Sequence, residues 1–181
     1  MRLSWSHRLF LSINAYAGNH PRMDGVMKFS ARWLIYVFVV LLLFVSIIQN
    51  RLLLGMAVFG VMAVCVLVID WTIGLVFHHA RPHAELPSIT QLVPTFQTFK
   101  SFPSDHTAIS VGLACSALLL FGGWIGSLAG VIATLIACAR VYVGVHYPRD
   151  VVGGLIVGII VSLASFSFAG YSIVPIITSF L

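Results

Sequence analysis

The residues able to do chemistry lie in three short stretches: Arg81-Pro82, Ser101-Phe102-Pro103-Ser104-Asp105-His106, and the run from Arg140 to Asp150. Pro103 to His106, set against the apolar run that begins at Thr107, reads as a helix start. Proline fixes φ, Ser104 or Asp105 can cap, and the first free N–H groups face outward. Unsatisfied N–H groups and the positive end of the helix dipole suit a phosphate, and His106 in the first turn can protonate a departing group. In the third stretch Pro148 interrupts any helix and Asp150 is placed to cap the next one. A carboxylate such as Asp150 that holds one nitrogen of His146 leaves the other free as nucleophile or base. Taken singly, each stretch also has a structural reading: a capped helix with an interfacial histidine, a snorkelling Arg81, a solvated loop.

These residues have to be positioned by membrane helices. Hydrophobic residues make up 60% of the 181-residue chain and charged residues 8%, far from the composition of a soluble domain. The chain reads as an all-α integral membrane protein forming a single domain over residues 1–181, without repeats or a long linker. The net charge of +5 suits anionic head groups or phosphate, and nothing in its distribution suggests nucleic acid. Cys65, Cys115 and Cys138 lie inside apolar runs and offer neither a disulfide framework nor a metal-ligand spacing.

Residues 1–18 are amphipathic and too short to span, and are read as a retained interfacial helix; a signal peptide is the competing reading, since Ala15-Tyr16-Ala17 resembles a cleavage site. A polar loop with His20, Pro21, Arg22, Asp24 and Lys28 follows. Spans are expected over Trp33 to Ile48 and from Leu52 to about His79. The uncharged run from Thr107 to Ala139 is too long for one crossing, so Gly122-Gly123 divides it into spans at 106–121 and 124–141. A last span runs from Val151 towards Pro175, which makes a bundle of about five transmembrane helices plus the N-terminal helix. Gly126, Gly130, Gly154 and Gly158 have the spacing of helix-packing glycines.

Asp70, Gly74, His78 and Arg81 are four, four and three residues apart and would share one helix face directed at something polar. For Asp70, a functional acid and a structural hydrogen bond to a neighbouring helix are equally open. Counting spans brings the Arg81 end, the Pro103–His106 start and the 140–150 loop to the same side of the membrane. A polar mouth with two Arg, two His, a Ser and an Asp reads as a phosphate-binding site.

Arg81-Pro82, Pro103-Ser104-Asp105-His106, and Arg140 followed by His146 and Asp150 resemble the three-part signature of the type 2 phosphatidic-acid phosphatase superfamily. Within it, Ser-Phe-Pro-Ser-Asp-His and Val-Gly-Val-His-Tyr-Pro-Arg-Asp-Val are similar to the bacterial undecaprenyl-diphosphatases. The resemblance implies that His146 is the nucleophile oriented by Asp150, that His106 is the general acid, and that Arg81, Arg140 and Ser104 hold the phosphate oxygens, with Pro103 and Asp105 beside them. It implies no cofactor and no metal, the arginines supplying the charge.

The chain departs from the family pattern in three places. Gly74 stands where a Lys usually precedes Arg-Pro, and Lys100 is the candidate replacement as a phosphate contact; Gly74→Lys is expected to be tolerated if that face lines a polar cavity. Asp105 replaces the common Gly of the middle motif, and Ala139 replaces a common Ser. The implied reaction is hydrolysis of undecaprenyl pyrophosphate to the monophosphate, through a phosphohistidine, at an inner-membrane site facing outward. The alternatives are phosphatidylglycerophosphate, phosphatidate or a lipid A phosphate as substrate, and, from another class, an anion or lipid-phosphate transporter. Partners expected are the lipid bilayer and a lipid phosphate. Nine of the ten Lys and Arg fall on the motif side, which by the positive-inside rule would point the other way.

Overall fold

The computed structural model describes residues 4–86, 88–95 and 100–168, and among these the only regular secondary structure beyond one isolated bridge is helical. Eight helices follow in order: α1 (Trp5–Asn14), α2 (Pro21–Arg32), α3 (Leu34–Ile48), α4 (Leu52–Val76), α5 (Pro82–Glu85), α6 (Asp105–Phe121), α7 (Gly123–Tyr142) and α8 (Pro148–Phe168). α4, α7 and α8 are each long and apolar enough to cross a membrane, and α2 with α3, bent by 59° at Trp33, makes a fourth candidate. α6, also apolar, has 17 residues, the lower limit for a span. The architecture is thus an all-helical multi-pass membrane bundle. The part of the expected last span beyond Phe168 lies outside the described residues.

The core is built where α3, α4, α6, α7 and α8 meet, around Phe38, Val58, Met62, Leu113, Ile136 and Val161. α6 and α8 approach closely because glycines face backbone. A Cβ at Gly158 would lie 2.5 Å from the Ala108 carbonyl, and one at Gly154 2.7 Å from that of Ser104. Ser116 and Ser162 hydrogen bond across the same interface at 3.0 Å. Gly122 makes the α6–α7 turn at φ +83°, a conformation that disfavours residues with a Cβ. At this end of the bundle Arg51 donates to the Leu120 carbonyl at 2.5 Å.

Three expectations are corrected. The segment from Pro21 to Lys28 belongs to helix α2, not a loop, with His20 just before it: Pro21 stands at its first position and Arg32 in its last turn, as helix-terminus preferences favour. Asp24 accepts from the Gly18 N–H at 3.2 Å and from the Tyr142 hydroxyl at 2.8 Å, tying α2 to α7. α4 stops at Val76 rather than near His79, because Phe77 leaves the helix at ψ 90° and His79 pairs with Lys100. Asp70 and Gly74 therefore share a buried α4 face, but His78 and Arg81 are not on that helix.

α1 does more than lie on a surface. Ser6, Phe10 and Asn14 form a buried stripe. Ser6 Oγ accepts the Arg149 N–H at 3.1 Å, Phe10 meets the Tyr147 ring edge-on at 5.2 Å, and Asn14 donates to the Thr90 and Tyr142 carbonyls.

Candidate active site

The ends of α7 and α8 bring Arg140, His146 and Asp150 together through local backbone rules. α7 closes with Gly144 at φ +82°. The Val145 N–H bonds to the Arg140 carbonyl at 3.3 Å and the Gly144 N–H to the Val141 carbonyl at 3.1 Å, the pair of bonds that ends a helix at a left-handed glycine. The His146 N–H also reaches the Arg140 carbonyl, so the turn seats the histidine against the arginine's own helix end. α8 begins with Pro148, and Asp150 in its first turn accepts the Tyr147 N–H at 2.9 Å through Oδ2.

His146 is buried with Nδ1 3.6 Å from Asp150 Oδ2. Its Nε2 lies 3.3 Å from Arg81 Nη1, which also donates to the Val145 carbonyl at 3.1 Å. A guanidinium has only donors, so Nε2 is the acceptor and the ring proton resides on Nδ1, directed at Asp150. Burial pushes the His146 imidazolium down to about 4, opposed by the Asp150 carboxylate and reinforced by the charges of Arg140 and Arg81. The ring is therefore neutral across the physiological range. Arg81 reaches this place from the extended conformation that a residue before proline adopts (φ −76°, ψ 157°). Its acidity is raised by burial, against Asp105 and Asp150.

Arg81, Arg140, His106 and Asp105 line one cavity of about 460 Å³, walled also by Ala31, Arg32, Trp33, Tyr36 and Val93 to Thr95. Arg140 is held by its Nη1, which donates to the Ala31 carbonyl of α2 at 2.7 Å, while its Nε has no partner. His106 sits in the first turn of α6, where free backbone donors and the helix dipole favour an anion.

The other expected residues are placed differently. Pro103 and Ser104 are buried and do not border this cavity. The Ser104 hydroxyl accepts from Thr107 at 3.1 Å, and its N–H donates to the Asp150 carbonyl at 3.0 Å. Lys100 borders a neighbouring groove with Leu67, Val68, Trp71 and Thr72, and its Nζ is bound to Asp105 Oδ1 at 2.6 Å. Position 74 does not face an open polar space: a Cβ there would come within 2.6 Å of the Lys100 Cγ and Cε, so Gly74→Lys would require Lys100 to move.

Two contributors escape the sequence reading. Ser101 is fully buried and donates to Asp150 Oδ2 at 2.5 Å, the oxygen that faces His146. Its place beside the Phe-Pro corner was visible, but its direction was not. Tyr147 donates to Glu85 at 2.7 Å beneath the His7 ring, and its hydroxyl is pushed upward by burial and by Glu85, so it stays protonated.

The helical membrane bundle thus gathers His146, Asp150, His106 and two arginines at one end. The family model of the PAP2 superfamily matches residues 51–173, and the chain belongs to that superfamily. It is 38% identical over 161 residues to YbjG of Escherichia coli (strain K12), a candidate undecaprenyl-diphosphatase by name, covering 87% of this chain and 79% of that one. It is 28% identical over 165 residues to the undecaprenyl-diphosphatase BcrC of Bacillus subtilis (strain 168), covering 91% and 84%. Its fold resembles the crystal structure of Aquifex aeolicus LpxE with a TM-score of 0.71 at 24% identity, over 91% of this chain and 96% of that chain.

Proposed function

We propose that residues 1–181 act as one membrane phosphatase that hydrolyses undecaprenyl pyrophosphate to undecaprenyl phosphate and inorganic phosphate. The observation that carries this reading is the lone pair of His146 Nε2, which faces Arg81 beside an arginine-lined cavity, with Asp150 Oδ2 3.6 Å from the opposite ring nitrogen. The names of YbjG and BcrC support the substrate.

In the first step Nε2 attacks the terminal phosphorus. The bond to the bridging oxygen breaks, its electron pair leaves with undecaprenyl phosphate, and His106 donates the proton that oxygen needs. Arg81 turns from Nε2 to the phosphoryl oxygens as substrate enters, and Arg140 and the α6 N-terminus hold the charge that develops there. Asp150 steadies the imidazolium formed by attack. In the second step water, deprotonated by His106, attacks the phosphohistidine, the P–N bond breaks, and inorganic phosphate leaves with neutral His146 restored. Arg81 and Arg140 supply the charge neutralisation that phosphoryl transfer needs, so activity is expected to survive chelators.

Purified protein should release phosphate from undecaprenyl pyrophosphate, faster than from phosphatidate or phosphatidylglycerophosphate in the same detergent. A preference for either glycerolipid would overturn the substrate assignment, and binding without phosphate release would favour transport. The active site is proposed to face outward, where the spent lipid pyrophosphate is released.

A further inference from the structure

Asp105 puts a carboxylate where an anion has to bind. It borders the phosphate cavity beside Arg81, Arg140 and His106, and its side chain is 36% exposed. Unneutralised, it would oppose every phosphate that enters.

Lys100 is built to neutralise it. Its Nζ lies 2.6 Å from Asp105 Oδ1 and its side chain is 5% exposed. The hydrocarbon stem lies across Gly74, where a Cβ would leave it no room, and the ammonium stands 5.5 Å from the centre of the Trp71 ring. The backbone is fixed as well: Lys100 bridges to His79, and the Ser101 N–H donates to the His79 carbonyl at 2.9 Å. A lysine held this way differs from a surface ion pair, whose two mobile side chains contribute little. Asp70 lies one helical turn before Gly74, fully buried, with Asp105 and Lys100 as its charged neighbours. Lys100 and Asp105 also border the groove of about 500 Å³ beside Leu67 and Trp71, so the ion pair forms part of the wall between that groove and the phosphate cavity.

We propose that Lys100 is a specificity-determining counter-ion: it neutralises Asp105 from behind without touching the phosphate, and so admits highly charged head groups such as a lipid diphosphate to the arginine pair. This rests on the phosphatase reading above. Losing Lys100 would penalise ligands in proportion to their charge, and removing the carboxylate as well would cancel the penalty.

The test is a double-mutant cycle in the purified full-length protein, with Lys100→Met, Asp105→Asn and the two combined. KM and kcat are measured with undecaprenyl pyrophosphate, and binding of inorganic pyrophosphate by calorimetry. Lys100→Met is expected to raise KM more than it lowers kcat, and to weaken pyrophosphate binding about tenfold, equivalent to about 1.4 kcal/mol. The double variant should recover most of that loss. A double variant no better than Lys100→Met would mean that the ammonium touches phosphate itself, and unchanged KM and binding in Lys100→Met would mean that the pair is inert; either overturns the proposal. Should Lys100→Met not fold, Asp105→Asn decides: tighter pyrophosphate binding supports the proposal and weaker binding refutes it. If wild type releases no phosphate from the lipid yet binds pyrophosphate with the expected pattern across the variants, the phosphatase reading fails while the counter-ion role stands.

Discussion

Replacing Ser101 by Ala removes one hydroxyl from the buried support of Asp150. In the structure Asp150 Oδ2 accepts from Ser101 Oγ at 2.5 Å and from the Tyr147 N–H at 2.9 Å, and faces His146 Nδ1 at 3.6 Å. A hydrogen bond to a charged group contributes about 1.5–3 kcal/mol. With one of the two donors gone, Oδ2 keeps the backbone bond but loses the contact that fixes its approach to the histidine. If that orientation is worth the full bond, kcat falls between about tenfold and a hundredfold, at roughly 1.4 kcal/mol per factor of ten. KM should move little, because Ser101 does not border the phosphate cavity, and an equal drop in kcat and kcat/KM marks an effect confined to the transition state. Steady-state phosphate release beside a thermal unfolding curve separates this from general destabilisation. A folded Ser101→Ala protein with kcat within about twofold of wild type would refute the reasoning.

Acidity should matter lower on the pH scale than for an ordinary histidine. Protonating Nε2 removes the attacking lone pair, so the acid limb of kcat/KM that belongs to His146 is expected near pH 4 rather than near 6.5. The same shift makes this residue's contribution to stability rise with pH from about 4 to 6.5, where the unfolded chain holds a proton that the folded one does not, a trend chemical denaturation across that window would show. Phe10→Ala, at a fully buried α1 position, should cost about 3–5 kcal/mol in unfolding free energy, whereas Trp5→Ala, 56% exposed, should cost far less; equal losses would mean that α1 does not dock. For sidedness, a single cysteine at exposed Ser88, with Cys65, Cys115 and Cys138 replaced, should react with a membrane-impermeant thiol reagent on intact cells. Labelling only after permeabilisation would place the site in the cytoplasm, where the charge count points.

Some of this arrangement was legible because it follows from local rules. Gly122-Gly123 had to turn a run too long for one span, and the structure turns there through a positive φ that glycine tolerates. Pro148 and Asp150 marked a helix start, but α8 begins at Pro148 itself rather than after it, and Asp150 lies inside the first turn and reaches back to the Tyr147 N–H. α2 was hidden because its charged residues resemble a loop, although Asp24 and Ala31 lie on the face that docks on α7 and braces Arg140. The end of α4 was hidden for the opposite reason: the sequence stays apolar through Phe77, and a tertiary contact between His79 and Lys100 accompanies the break. Lys100 and Ser101 are adjacent and point to different acids, Asp105 and Asp150, which no spacing rule foretells. Nor did the amphipathic pattern of α1 reveal that its buried stripe grips Arg149 and Tyr147.

The central claim is that His146 Nε2 takes the phosphoryl group, and rapid quenching tests it most directly. Wild-type protein mixed with undecaprenyl pyrophosphate labelled in its terminal phosphate, and stopped in alkali within the first turnover, should carry an acid-labile, alkali-stable label that maps to His146. In His146→Ala that label and the turnover should both be absent. A folded His146→Ala protein that still releases phosphate, or a label that maps to His106 instead, would contradict the account.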